Sequence, residues 1–297
     1  MTLLKNKTLS PWKWKINRDF WLLWILRIFG AIAGVIVILI VAFLVLETLP
    51  ILREVRFTRF FTDSSWNPAE GLYNLTPMLW GTLLVMLGSV LIATPLGIIS
   101  AIFCQYYAPP MVASLYRRLI ELLAGIPSVV YGFWGLVVLV PLINRLHPPG
   151  TSLLAGIAIL SLMVLPTITL VAEASLAKVP QTYLLGAASL GISRWGIIWG
   201  VALPAAKSGL FTGVILEVGR AIGETMAVLM VCGNVVQVPD SIFDPVRTLT
   251  ANIALEMAYA LGNHRSALFV SGLGLMGMIA ILAVLAEVLS QDVDRLN

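Results

Sequence analysis

The sequence predicts an all-α membrane protein with six transmembrane helices, and three observations carry that prediction. Of 297 residues, 59% are hydrophobic and only 11% charged, where soluble domains carry about 25% charged residues. The mean hydropathy is +0.94, which over so long a chain requires several spans rather than one soluble core. The apolar residues fall into six runs, each near the roughly 20 residues a helix needs to cross a hydrocarbon core of about 30 Å. No strand-like alternation accompanies them, and a backbone in lipid must satisfy its own polar groups within a helix.

The first run, about 25–46, follows a basic start of Lys5, Lys7, Lys13, Lys15 and Arg18. Ala31-Ile32-Ala33 looks like a cleavage site, but the uncharged stretch to Leu46 is too long for a signal peptide, so it reads as a span that stays. The second run, about 76–103, contains Gly81, Gly88 and Gly97. The third, about 119–143, is broken by Pro127. The fourth covers about 152–172, the fifth about 208–236, and the sixth about 267–289 with Gly272, Gly274 and Gly277. Glycines at such spacings let helices approach closely. The expected organisation is a tail at 1–24, a six-helix domain at 25–290 and a short tail at 291–297.

With the N-terminus inside, twelve lysines and arginines fall on the cytoplasmic side and six outside, leaving Arg220 between them. The bias places both termini in the cytoplasm. The same excess explains the net charge of +4 without nucleic acid. The largest inside loop, about 173–207, holds two candidate short helices. One is Ala- and Leu-rich at 181–190. The other, at 193–201, carries Trp195 and Trp199 at i, i+4, and Gly191 makes the turn between them. Such helices lie on headgroups or dock a partner protein.

Cys104 and Cys232 form neither a C-x-x-C nor a zinc pattern, and two cysteines make no disulfide framework. No G-x-S-x-G or H-E-x-x-H occurs, so no catalytic residue, metal ligand or cofactor is assigned. His147 and His264 are single and take no role. Glu121 reads as a surface partner of Arg117 and Arg118. Tyr131 and Trp134 read as packing aromatics.

The fifth run carries the chemistry. In Gly-Arg-Ala-Ile-Gly-Glu-Thr-Met-Ala-Val, 219–228, Arg220 lies twelve residues past Ser208, or about 18 Å into the core at about 1.5 Å per residue. A charge at that depth costs at least a few kcal/mol and must face a partner or a watery cavity. Glu217 and Glu224 stand at i−3 and i+4, so one helical face holds all three and the carboxylates hold Arg220 when substrate is absent. Thr225 offers a hydroxyl to an anion or to its own helix backbone. A planar guanidinium suits an oxyanion.

The inside loop resembles the cytoplasmic motif of type I ABC importer permeases: E-A-A, three residues, G, nine residues, I, one residue, L-P. Gly191, Val201, Leu203 and Pro204 match; Leu185, Gly186 and Ala187 stand in the first three positions, so leucine replaces the glutamate. The resemblance implies a coupling loop for a separate ATPase, in keeping with the missing G-x-x-x-x-G-K-[ST] phosphate loop. The charged stretch, with Ile-Pro-Ser-Val-Val-Tyr-Gly-Phe-Trp-Gly-Leu at 126–136, resembles the phosphate-specific permeases of the PstC type. That resemblance covers the chain from about Trp80 to the sixth span. It implies a MetI-like, type I permease architecture in a bacterial inner membrane. It also implies a paralogous PstA-type permease, a PstB-type ATPase, an extracytoplasmic PstS-type binding protein and inorganic phosphate as cargo. From the residues alone, molybdate or sulfate import and a passive anion channel stay open.

Overall fold

The computed structural model describes the backbone of residues 12–295 and the side chains of 20–285. Its first helix, α1 (Trp12–Glu54), runs past both ends of the expected span, because no Gly or Pro interrupts 12–29 and Pro50 is tolerated near the far end. It therefore continues into the expected tail, of which residues 1–11 lie outside the described residues, as do 296–297 of the C-terminal tail. A short α2 (Arg59–Thr62) leads to a two-stranded hairpin, β1 (Trp66–Asn67) and β2 (Leu72–Tyr73), paired Trp66 to Tyr73.

The second span is α3 (Thr76–Ile102), extended by a π-helical turn at Phe103–Tyr107. Next come α4 (Pro110–Ala124), α5 (Ser128–Trp134), a π turn and α6 (Val140–Leu146). The expected third span at 119–143 is thus shifted. Residues 119–124 end the separate helix α4, and the helix long enough to cross is Ser128–Leu146. Gly125 and Pro127 cause the break, since proline lacks an N–H and disfavours helical geometry in the residue before it. The fourth span, α7 (Leu153–Ala177), starts at Ser152, whose Oγ accepts from Ala155 N at 3.2 Å.

Beyond it lie α8 (Gln181–Ser189) and α9 (Arg194–Ile197), which passes through a π turn at Ile198–Ala202 into α10 (Leu203–Ile222). The connection that sequence placed at 173–207 is shorter, because both flanking spans continue into it. After α11 (Met226–Val231) and α12 (Leu249–Glu256), α13 (Gly262–Arg295) closes the chain. The fifth run is therefore two helices, not one.

The central pair is α3 and α7, running in the same direction. A Cβ on Gly97 would come within 2.6 Å of Ile168 Cγ2, so the two backbones approach closely there. Helix α10 crosses back against α7, where a Cβ on Gly213 would meet Val171 Cγ1 at 2.5 Å. The core has three layers. Ile51, Phe60, Met78 and Leu268 fill the hairpin end, Met86, Ile159, Leu160 and Ile222 the middle, and Ile102, Leu176 and Ile198 the end beside α8. Helix α1 stands apart; its exposed apolar residues reach from Phe20 to Leu46, and it packs mainly on α13, with Phe43 edge-on to Phe269 at 5.6 Å.

Candidate functional site

The charged stretch sits where the fifth span breaks. Helix α10 ends at Ile222, Gly223 follows, and α11 begins at Met226. Breaking a helix inside a membrane frees N–H and C=O groups that need partners. Glu224 supplies one: its Oε1 accepts from Ala227 N at 3.2 Å. Its own carbonyl accepts from Thr250 Oγ1 at 2.8 Å, which ties the break to α12. Thr225 Oγ1 donates to Gly223 O at 3.2 Å.

Arg220 occupies the last turn of α10, where the helix dipole favours a cation. Its side chain is exposed, and Nη1 donates to Thr167 Oγ1 on α7 at 3.2 Å. Among the described residues it forms no ion pair. Glu217 is only 4% exposed, and its Oε2 has no hydrogen-bond partner. The expectation that both carboxylates hold Arg220 on one helical face is therefore corrected. An i+4 contact needs an unbroken helix, and this one ends at Ile222; Glu217 turns into the core. Contacts of Gly209 with Ser175 and Gly213 with Val171 set an antiparallel register that brings Thr167 level with Glu217. Thr167 has no signal in the sequence, because 53 residues separate it from Arg220. Its neighbour Pro166 is the one hint, as it leaves a carbonyl of α7 without its helical donor.

The loop motif takes a definite shape. Gly191 has φ +76°, the left-handed geometry that suits glycine after a helix. Gly191 N donates to Ala188 O at 3.0 Å and Ile192 N to Ala187 O at 3.4 Å, the paired bonds of a Schellman cap on α8. Leu185 is 66% exposed, Gly186 faces open space and Ala187 is buried. Val201 lies in the π turn, Leu203 is half-buried and Pro204 is exposed. Pro204 has no N–H for the carbonyl four residues back, and the wide turn absorbs that gap. Tyr183, Leu190, Trp195 and Trp199 add an exposed apolar surface, the two indoles 5.4 Å apart.

Two polar clusters escaped the sequence reading. Arg117 pairs with Glu173 of α7, not with Glu121. At the hairpin end, Glu256 accepts from Arg247 Nη1 at 2.7 Å and Trp66 Nε1 at 2.9 Å, and lies 2.8 Å from His264 Nε2. His264 thus has a structural place that its isolation in sequence concealed.

Residues 93–295 match the family described as binding-protein-dependent transport system inner membrane component. This chain belongs to that family. Among the described residues six helices are long and apolar enough to cross a membrane, and with the family they make this chain a multi-pass inner membrane protein. It is 43% identical over 237 residues to the Bacillus subtilis (strain 168) protein named Probable ABC transporter permease protein YqgH, covering 78% of this chain and 77% of that one. It is 34% identical over 257 residues to the Phosphate transport system permease protein PstC of Mesorhizobium japonicum, covering 79% of each. Its fold matches a solved chain of the MetNI methionine ABC transporter in an inward-facing conformation. That match has TM-score 0.60 and 19% identity and covers 76% of this chain and 98% of the other. The MetI-like architecture that the resemblance to importer permeases implied is therefore present.

Proposed function

We propose that this inner membrane component is one permease half of an ATP-driven importer of inorganic phosphate. The observation that carries the reading is Arg220: a guanidinium in a broken membrane span, exposed and held by a threonine rather than by a carboxylate. Relatives named as phosphate permeases at 34% identity supply the substrate.

Phosphate is delivered from outside by a PstS-type binding protein. It enters a cavity between this chain and a PstA-type partner permease. Arg220 exchanges Thr167 for a phosphate oxygen, at the cost of one hydrogen bond to an uncharged acceptor. Glu224, fixed at the start of α11, sets a negative charge beyond the break, and Thr225 adds a hydroxyl there. Glu217, behind Thr167, adds acidic character from within the core. Together they keep the anion from settling too deeply in low dielectric. The α8 end faces the cytoplasm, as do both termini, with 1–24 and 291–297 as tails of the permease domain. A PstB-type ATPase docks on α8 and the tryptophan pair, through apolar contact at Leu185 where the family has glutamate.

The test is uptake into proteoliposomes holding this chain, the partner permease and the ATPase, with binding protein outside and ATP inside. Labelled phosphate accumulates only with ATP and resists excess sulfate and molybdate, and Arg220→Ala abolishes accumulation while the complex still assembles. Equilibration without ATP would identify a channel. Displacement by sulfate or molybdate would identify a different oxyanion importer. Full uptake by the assembled Arg220→Ala complex would remove the arginine from the path.

A further inference from the structure

Helix α4 presents three different faces. One is turned to the protein: Ile120 is buried, and Tyr116 hydrogen bonds Ser100 of α3 at 2.5 Å. The second is polar, with Ser114, Glu121 and Arg117, the last held by Glu173. The third is apolar and uncovered. Met111, Leu115, Leu119 and Leu122 recur along one stripe and range from 87% exposed at Met111 to 50% at Leu119. Arg118 lies on the border of that stripe, about 40° around the helix from Leu122 at about 100° per residue. Among the described residues Arg118 is exposed and forms no ion pair.

We propose that this face of α4 docks an anionic phospholipid, with acyl chains along Leu115, Leu119 and Leu122 and the phosphate on Arg118. Two observations favour lipid over a protein partner. The stripe lies beside the end of a membrane-crossing helix: Tyr116, one turn from Leu119, meets Phe103 of the π turn that ends the second span edge-on at 6.1 Å, and Phe103 with Ile99 and Leu96 of α3 are themselves exposed. The charge also complements an anionic surface. An arginine bordering leucines, on a helix joining the ends of two spans, can lay its stem on apolar surface and reach a phosphate. Arg117 is already neutralised, so among the described residues Arg118 is the free cation of this helix.

The experiment uses the whole permease complex in vesicles of equal parts phosphatidylcholine and phosphatidylglycerol. An environment-sensitive fluorophore is attached at Leu119→Cys; Cys104 and Cys232 are buried, and labelling of the unsubstituted complex measures their background. Bromine is placed on the acyl chains of one lipid at a time. Both brominated lipids are expected to quench, phosphatidylglycerol with about a fivefold preference, the value of one arginine at an anionic surface. Arg118→Gln should bring that preference close to one while quenching persists. Absence of quenching by either lipid overturns the proposal, since protein or water then covers the face. Equal quenching by both lipids, unchanged by Arg118→Gln, removes the phosphate from Arg118 and overturns it as stated. Neither result depends on which anion the transporter carries.

Discussion

Thr167 decides how Arg220 is held. A hydroxyl oxygen that accepts one N–H at 3.2 Å positions a guanidinium without neutralising it, whereas a carboxylate would compete with the arriving anion. Thr167→Val keeps the shape and removes the acceptor. We expect it to lower the initial rate of phosphate uptake about tenfold, because a guanidinium without its positioning partner meets the anion in fewer productive orientations. Thr167→Ser should restore most of the rate, and a rate unchanged in Thr167→Val would detach the threonine from transport. Arg220 itself was legible in the sequence, because an arginine amid so many apolar residues demands a use. Its partner was not. Helical spacing nominates neighbours on the same helix, and the actual contact comes from a different span.

At the scale of elements, the breaks decide what each charged residue can reach. Gly223 lies within a pattern that reads as one continuous run, and a single glycine is a weak signal against so much apolar sequence. The cap on α8 was better marked, since Gly191 follows the last residues of a predicted helix. Gly191→Ala forces a left-handed geometry on a residue with a Cβ, at about 1 kcal/mol. Co-purification of the ATPase with the permease should then fall about fivefold, and unchanged co-purification would show that the cap does not shape the docking surface. The hairpin has its own anchor. Burial alone would raise the Asp63 carboxyl, but the bond from Arg59 Nε and the Tyr73 N–H, with the charge of Arg59, outweigh it and hold the carboxyl below its ordinary value. A lowered folded value stabilises the hairpin above the unfolded value near pH 4 and loses that effect as pH falls through the folded one. Hydrogen exchange at the Tyr73 amide should accelerate only below about pH 4. Asp63→Asn should show the fast exchange already at neutral pH.

Across the whole molecule, the six spans were legible because length and hydropathy alone decide what crosses a bilayer. Among their interior boundaries the break at Pro127 was marked, since proline punctuates an apolar run, while the break at Gly223 was not, since glycine acts through backbone geometry that hydropathy does not register. Close packing of α3, α7 and α10 rests on small residues. Gly213→Leu would drive a large side chain into Val171 and should destabilise the complex by about 2 kcal/mol or more through overpacking. A lowered thermal midpoint of the detergent-solubilised complex would show it; an unshifted midpoint would mean the two helices separate freely.

Helix α1 has a history that its position implies. It is synthesised before the other described spans, yet its main neighbour, α13, comes after all of them. Throughout synthesis of the spans between them it must reside in the bilayer without the contact of Phe43 with Phe269 or of Glu47 with Arg265. A helix that must wait alone in lipid gains nothing from a polar side. Its apolar residues accordingly surround the whole circumference, and this span is built to be stable before its neighbour exists.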